Sequence, residues 1–428
     1  MIFSSESDIE TISSEEAGAK PGSTEYIQDK TMTKYIKKTA IALLAIFLTQ
    51  TASFGQGKME SMLDSIERNN TTLKALRQQA VAMKAQNRTA TAMPDPEIEF
   101  GYLWGSNAGM NPRKDISVTQ QLDWATLSGS RSRLAAKDDR LAELGYLRDR
   151  QTILAEADNT LTALVHANLL LREYVRREQR AARLCETYKL KYERGDVGLI
   201  EVNKTKLDLS AARAATGVAR AERDALLGEL RRLNGGRPLE FADTAYFSPE
   251  LPSEAQLAAM IERDNPALLS ARAAAERSLA QLKLERTAAL PALTVGYTGE
   301  LIKGDSYNGI SVGLSIPLWG SSRKKVKQAQ AEVTLAQTQA DDTRTQLLAT
   351  LTSRLASARS LRLAADSLRR DLEQCDNSHL LEKALTKGEI SLTVYLTEMS
   401  YYYDALDRLL QAELDCQTAL SQIRSLIR

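Results

Sequence analysis

The sequence predicts a mainly α-helical chain with a small β-barrel contribution, assembled from one motif used twice. Three observations predict it. One set of residues recurs in the second half in the order it has in the first, long apolar stripes at helical spacing occupy both halves, and four short stretches alternate apolar and polar residues. With 43% hydrophobic and 26% charged residues over 428 positions, the chain is too apolar to stay disordered and long enough for a large folded body. Lys+Arg (56) and Asp+Glu (55) nearly cancel, which leaves no overall basic field for nucleic acid. The two histidines (His166, His379) and three cysteines (Cys185, Cys375, Cys416) form no CxxC, CxxH or HExxH spacing, so neither a metal site nor a redox dithiol nor another cofactor is expected.

Residues 1–31 are Ser/Glu-rich, without apolar periodicity, and are expected to be a disordered extension. Met32 is followed by Lys34, Lys37 and Lys38, an apolar run Ile41–Leu48, and the small-residue stretch Thr51-Ala52-Ser53-Phe54-Gly55-Gln56. Basic, apolar, then small is the order of a secretory signal, which places a signal peptide at 32–55 and translation initiation at Met32. The apolar run is under half of the ~20 residues a spanning helix needs, and no cysteine follows it, so neither a permanent anchor nor a lipidation site is expected there.

An internal repeat organises the chain and sets the whole fold. Ile66-Glu67-Arg68-Asn69-Asn70 recurs as Ile261-Glu262-Arg263-Asp264-Asn265. The same offset carries Leu73 to Leu268, Arg77 to Arg272, Pro96 to Pro291, Gly101 to Gly296, Tyr102 to Tyr297 and Trp124 to Trp319. After a two-residue slip, Arg194-Gly195-Asp196-Val197 matches Lys387-Gly388-Glu389-Ile390. The halves run over 58–235 and 253–428, and the Gly- and Pro-bearing stretch 236–252 links them.

Each half reads helix, strand, strand, helix, helix. Strong helix formers run from Lys58 to about Ala92, where Pro94 and Pro96 stop them. From about Ser128 to Arg194, Leu147, Leu154 and Leu161 and then Asn168, Val175 and Ala182 recur at seven-residue steps. This is a coiled-coil-like helix of about 100 Å if unbroken. The matching stripe in the second half runs from Leu347 to Leu372.

The strands are expected at 97–104, 116–123, 292–302 and 309–318, with hairpin tips at Gly105–Arg113 and Lys303–Asn308. In the first, Ile98, Phe100, Tyr102 and Trp104 share one face opposite Glu97 and Glu99; in the last, Val312, Leu314 and Ile316 share a face opposite Gly313 and Ser315. One face suits lipid and the other water, at lengths a tilted spanning strand needs. Four strands cannot close a barrel, and an open edge in lipid leaves backbone groups unpaired at several kcal/mol each, so the chain must oligomerise.

With these residues in place the chain resembles the TolC family of outer-membrane efflux proteins along its mature length. The most specific stretch is Pro317-Leu318-Trp319-Gly320 with Arg323, Val326, Ala329 and Ala336, which is similar to that family's strand-to-helix exit, where Pro317 ends the ladder and Gly320 permits the sharp turn. A second marker is Tyr192-Glu193-Arg194-Gly195, with its counterpart Leu385-Thr386-Lys387-Gly388. The resemblance implies a homotrimer with a twelve-stranded barrel in outer-membrane lipid and a helical tunnel in the periplasm of a Gram-negative-type bacterium. It implies a passive duct docked to a periplasmic adaptor protein and an inner-membrane pump of RND or ABC type, and not an enzyme. It places Tyr192, Gly195, Asp196, Gly388 and Glu389 at the tip that meets the adaptor. The family's acidic gate positions fall on Val394 and Thr397 here, so Glu201 and adjacent Glu398 are the lumen or gate candidates. Drug, heavy-metal and polypeptide export remain open. A periplasmic adaptor subunit is the alternative; it would show one helical hairpin inside β-rich segments, without duplication. No nucleophile elbow, phosphate loop or paired catalytic carboxylate supports an enzyme.

Overall fold

The structure is a computed structural model and describes residues 58–107, 109–246, 252–316 and 320–427. The signal segment 32–55, the extension before it and Pro317 lie outside the described residues. The elements, in order, are α1 (58–69), α2 (Thr71–Thr89), β1 (Glu97–Leu103), β2 (Arg113–Leu122), the single turn α3 (Trp124–Leu127), α4 (Ser130–Glu193) and α5 (Leu199–Leu233). The second half supplies α6 (Glu254–Asp264), α7 (Pro266–Ala288), β3 (Ala292–Ile302), β4 (Asp305–Ser315), α8 (Ser321–Gln374), α9 (Ser378–Lys387) and α10 (Leu392–Ile427).

The two halves repeat the same solutions at corresponding places. The helix expected from Lys58 to Ala92 is two helices, bent at Asn70, whose side-chain oxygen caps the N–H of Leu73 (2.8 Å) while its amide donates to the carbonyl of Leu233 (2.8 Å). Asn265 does the same between α6 and α7. It caps Ala267 and Leu268 and donates to the carbonyl of Leu426 (2.9 Å), with Pro266 at the first helical position. Glu67 receives Arg150 on both carboxylate oxygens (2.6 Å each), and Glu262 receives two donors of Arg344 on one oxygen.

Two matching cores sit at this level. Ile66 of α1 packs with Leu161 and Leu164 of α4 and Leu230 and Leu233 of α5; Ile261 of α6 packs with Leu351 and Leu355 of α8 and Ile423 of α10. The linker is held to the first core: Phe241 is buried in it, and the Asn168 amide donates to the carbonyls of Phe241 and Asp243. A buried group joins the halves, where Asp158 of α4 accepts from Ser421 (2.7 Å) and Arg424 (3.2 Å) of α10. Removing Asp158 or Arg424 would leave the other's charge uncompensated in the interior.

α4 is one unbroken helix of 64 residues, about 96 Å long. Its second-half counterpart is cut. α8 stops at Gln374, and Cys375-Asp376-Asn377 form a break closed by Asn377 N–H to the Cys375 carbonyl and Ser378 N–H to the Asp376 carboxylate. The four strands form one antiparallel sheet in the order β1-β2-β3-β4. Five strand bounds differ from expectation: β1 ends at Leu103, β2 at Leu122 and β4 at Ser315, which leaves Trp104 and Ile316 just outside the strands, and two strands begin earlier. β2 begins at Arg113, and β4 begins at Asp305, because the second hairpin is closed by only Lys303 and Gly304, both at positive φ (50° and 96°).

The helices beyond the sheet follow the same order as the strands. α2 packs on α4, α4 on α7 and α7 on α8, so β1 with α2 and β4 with α8 form the two margins of one continuous panel. Towards the far end, α5 and α10 flank α4.

Candidate functional site

Strand register turns the sequence alternation into two chemically distinct faces. One row across the sheet is Ile98, Val118, Tyr297 and Ile310; the next on that face is Phe100, Ile116, Gly299 and Asn308. The intervening row, on the other face, is Glu99, Ser117, Thr298 and Gly309. The apolar face is bare. Ile98 is 70% exposed, Phe100 68%, Trp104 80% and Ile310 84%, and Tyr102, Val312, Leu314 and Ile316 are exposed with them. A contiguous apolar surface of this kind marks contact with lipid or with another chain. Glycines allow the crowding on the polar face. A Cβ on Gly101 would meet the Asp115 carboxylate at 2.3 Å, and one on Gly296 would meet Ser311 Oγ at 2.6 Å. Aromatic residues mark both ends of the sheet. Tyr102 and Trp104 lie near the tip, with Lys114 over the Tyr102 ring at 5.8 Å. Trp124 stands at the base, half-exposed, its indole N–H donating to the Pro291 carbonyl (2.8 Å).

The passage from sheet to helix is made alike in both halves. Gly129 and Gly320 precede α4 and α8, each at φ 70°, a conformation that a side chain would strain. Arg323 lies exposed in the first turn of α8.

At the opposite end both helical hairpins turn on a glycine. Gly195 (φ 80°) and Gly388 (φ 77°) close α4 and α9. The N–H groups of Asp196 and Glu389 reach back to the carbonyls of Lys191 (2.9 Å) and Ala384 (2.8 Å), so the carboxylates of these two residues follow equivalent turns. Tyr192 is half-exposed beside the first. Glu201 is the third residue of α5, where its charge suits the helix N-terminus, and Glu398 is exposed on α10. Among the described residues no hydrogen bond or ion pair joins Glu201 to Glu398. The two hairpins are tied by Lys204, which donates to Thr393 Oγ1 (2.8 Å).

Above the tip lies a cluster that the sequence pattern did not reveal. Tyr395 and Met399 of α10 are buried with Leu385 of α9. Arg177 of α4 grips Asp407 through two bonds (2.9 and 2.6 Å) and stacks 4.3 Å from the Tyr403 ring, while Arg180 donates to the Tyr403 hydroxyl (2.8 Å). Arg177, Arg180, Tyr395, Met399, Tyr403 and Asp407 border a cavity of about 310 Å³ between α4, α5 and α10. Burial pushes the Tyr395 hydroxyl up to about 12. Among the described residues Asp208 of α5 faces the same cavity without a hydrogen bond or ion pair, and burial raises its carboxyl above the ordinary aspartate range. The only advance signal was the unusual run of tyrosines, Tyr401-Tyr402-Tyr403. Among the described residues no cluster of His, Cys, Asp and Glu could hold a metal ion, and no helix is long and apolar enough to cross a membrane.

Residues 257–427 match the outer membrane efflux protein family. No curated protein matches the chain in sequence. Solved structures do match in fold. CusC superposes with a TM-score of 0.71 at 14% identity, over 86% of this chain and 92% of that one. The CmeC outer membrane channel of Campylobacter jejuni gives 0.68 at 16% identity, over 86% and 85%. The outer membrane protein VceC of Vibrio cholerae gives 0.68 at 14% identity, over 87% and 95%.

Proposed function

We propose that this chain, a member of the outer membrane efflux protein family, is the passive exit duct of an efflux or type I secretion system, a homotrimer whose strands line a pore through the outer membrane. The observation that carries this reading is the panel with two open margins. β1 and β4 each have one strand neighbour, and α2 and α8 stand at the matching edges of the helical layer. In hydrocarbon those strand edges must be paired, and copies of the chain offer the pairing, β4 of one against β1 of the next. Three copies of four strands give twelve, with Ile98, Phe100, Tyr102, Trp104, Val312, Leu314 and Ile316 turned to lipid and the Glu99–Ser117–Thr298–Gly309 face turned to the pore.

Energy comes from elsewhere, since nothing in the pore wall drives chemistry. The tip turns at Tyr192–Asp196 and Gly388–Glu389 are the surface for a periplasmic adaptor, itself joined to an inner-membrane pump of RND or ABC type. Glu201 and Glu398 are the acidic candidates for the narrow end of the tunnel. The segment 32–55 directs export, which leaves the helices in the periplasm. The periplasmic adaptor reading is disfavoured by the duplicated panel, which that class of chain would not need.

The test is mass and location. Detergent-extracted protein is expected to keep three times the chain mass on dilution and to fractionate with the outer membrane. A stable, water-soluble single chain would overturn the proposal.

A further inference from the structure

The first turns of α8 carry a charge that nothing among the described residues answers. Arg323, Lys324, Lys325 and Lys327 are all exposed, and none of their side chains makes a hydrogen bond or ion pair among the described residues. The next acid along the helix is Glu332. In a chain whose charges otherwise cancel, four uncompensated cations within five positions form a local field, not a share of a general one.

The equivalent place in the first half is different. At the start of α4, Arg131 pairs with Asp123 (3.4 Å) and Arg133 donates to the Ser128 carbonyl (2.7 Å). Further along, Lys137 meets Glu276 (2.7 Å) and Arg140 meets Glu143 (3.1 Å). Those cations are satisfied internally; the four on α8 are not.

Closing the ring brings no anion from the neighbouring helix; the acids on that margin are Asp95 and Glu97 at the foot of β1. The margin opposite α8 is α2, and α2 contains no Asp or Glu from Thr71 to Thr89. Val326, Ala329 and Val333 pack against Leu282 of α7, so the cations fan over the part of the helix that this packing leaves free.

Their depth is set by the sheet. β2 ends, β3 begins and β4 ends at the base, where Trp124, Leu127, Leu290 and Ile316 are exposed. α8 starts a few residues beyond Ile316. Long basic side chains immediately beyond an apolar band reach the plane of lipid headgroups, and each adds attraction to anionic lipid that salt screens.

We propose that Arg323, Lys324, Lys325 and Lys327 bind the anionic headgroups of phospholipids in the periplasm-facing leaflet, a site peculiar to the second half of the chain. The proposal rests on the outer-membrane reading above.

The test uses the full chain carrying W104F/W319F, so that Trp124 at the base is the reporter. It is reconstituted into phosphatidylcholine vesicles containing either brominated phosphatidylglycerol or brominated phosphatidylcholine. At low salt the anionic lipid is expected to quench at a several-fold lower mole fraction, on a scale of about fivefold per engaged cation. K324Q/K325Q/K327Q is expected to lose at least about two-thirds of that preference, and high salt to erase it. K206Q/R220Q/K383Q, which removes equal charge elsewhere, is expected to keep it. Equal quenching by the two lipids, or an unchanged preference in the α8 variant, overturns the proposal. So does lipid A outcompeting phosphatidylglycerol for the base, since that anion belongs to the opposite leaflet. If neither brominated lipid quenches, the chain has not entered the bilayer and the membrane reading itself fails.

Discussion

Placing one charge on adjacent residues of β4 tests the two-faced sheet directly. Ile310 is the middle residue of that strand and sits in a row with Ile98, Val118 and Tyr297, whereas Gly309 belongs to the row of Glu99, Ser117 and Thr298. Gly309 has no atom within 4 Å of where a Cβ would stand, so a long side chain fits there. Arginine on the lipid face near the bilayer midplane costs about 2–4 kcal/mol, which is about 30- to 700-fold in the insertion equilibrium of each copy. On the polar face the same residue meets water, and the expected cost is below about 1 kcal/mol. I310R and G309R are therefore expected to diverge by at least about fivefold when urea-unfolded chain is refolded into phosphatidylcholine vesicles and insertion is followed by tryptophan emission. Equal losses would mean that the sheet has no lipid side, and a larger loss for G309R would mean that the faces are assigned backwards.

Three further outcomes follow from the packing. Asn70→Ala and Asn265→Ala each remove a helix cap and strand a buried carbonyl, so each is expected to cost about 2–4 kcal/mol in thermal or denaturant unfolding; a large effect from one and none from the other would contradict the matched geometry. Asp208 has its carboxyl raised by burial, so the native state holds that proton more tightly than the unfolded chain does, and its contribution to stability is lost as pH rises through the raised value. Asp208→Asn is accordingly expected to raise the melting temperature near neutrality and to leave it unchanged in acid, and a variant that melts lower near neutrality would refute this. Leu154→Pro places a ring inside the buried stripe of α4, at a cost of about 3 kcal/mol or more, and is expected to abolish efflux in a resistance or secretion assay while the strands still insert.

The duplicated motif, the hairpins and the long first-half helix were legible because each is a matter of period, and period survives without knowledge of partners. Asn70 shows where that stops. Its twin Asn265 is followed by Pro266, an overt boundary, but Asn70 is followed by Thr71 and Thr72 within a run of helix formers, and only the carbonyl of Leu233 waiting across the core makes the bend worthwhile. Lys303-Gly304 carries little two-residue-turn signal, because lysine is an uncommon tenant of a positive-φ turn position. The break at Cys375-Asp376-Asn377 had a local cue in its Asp and Asn, whose side chains compete for backbone hydrogen bonds, but the leucine stripe running to Leu372 outweighed it. The Arg177–Asp407 grip and the cavity beside Asp208 were out of reach for a different reason. They join residues far apart in the chain, and no spacing rule connects them.

The break between α8 and α9 gives the two hairpins different mechanics. α4 is a girder that answers a sideways push by flexing along its whole length. Its counterpart has a knuckle at Cys375–Asn377, where the hydrogen-bond ladder is interrupted and bending costs least. A load on the lower end therefore swings the Gly388 corner before it moves the Gly195 corner, and in a closed ring stiff posts would alternate with jointed leaves.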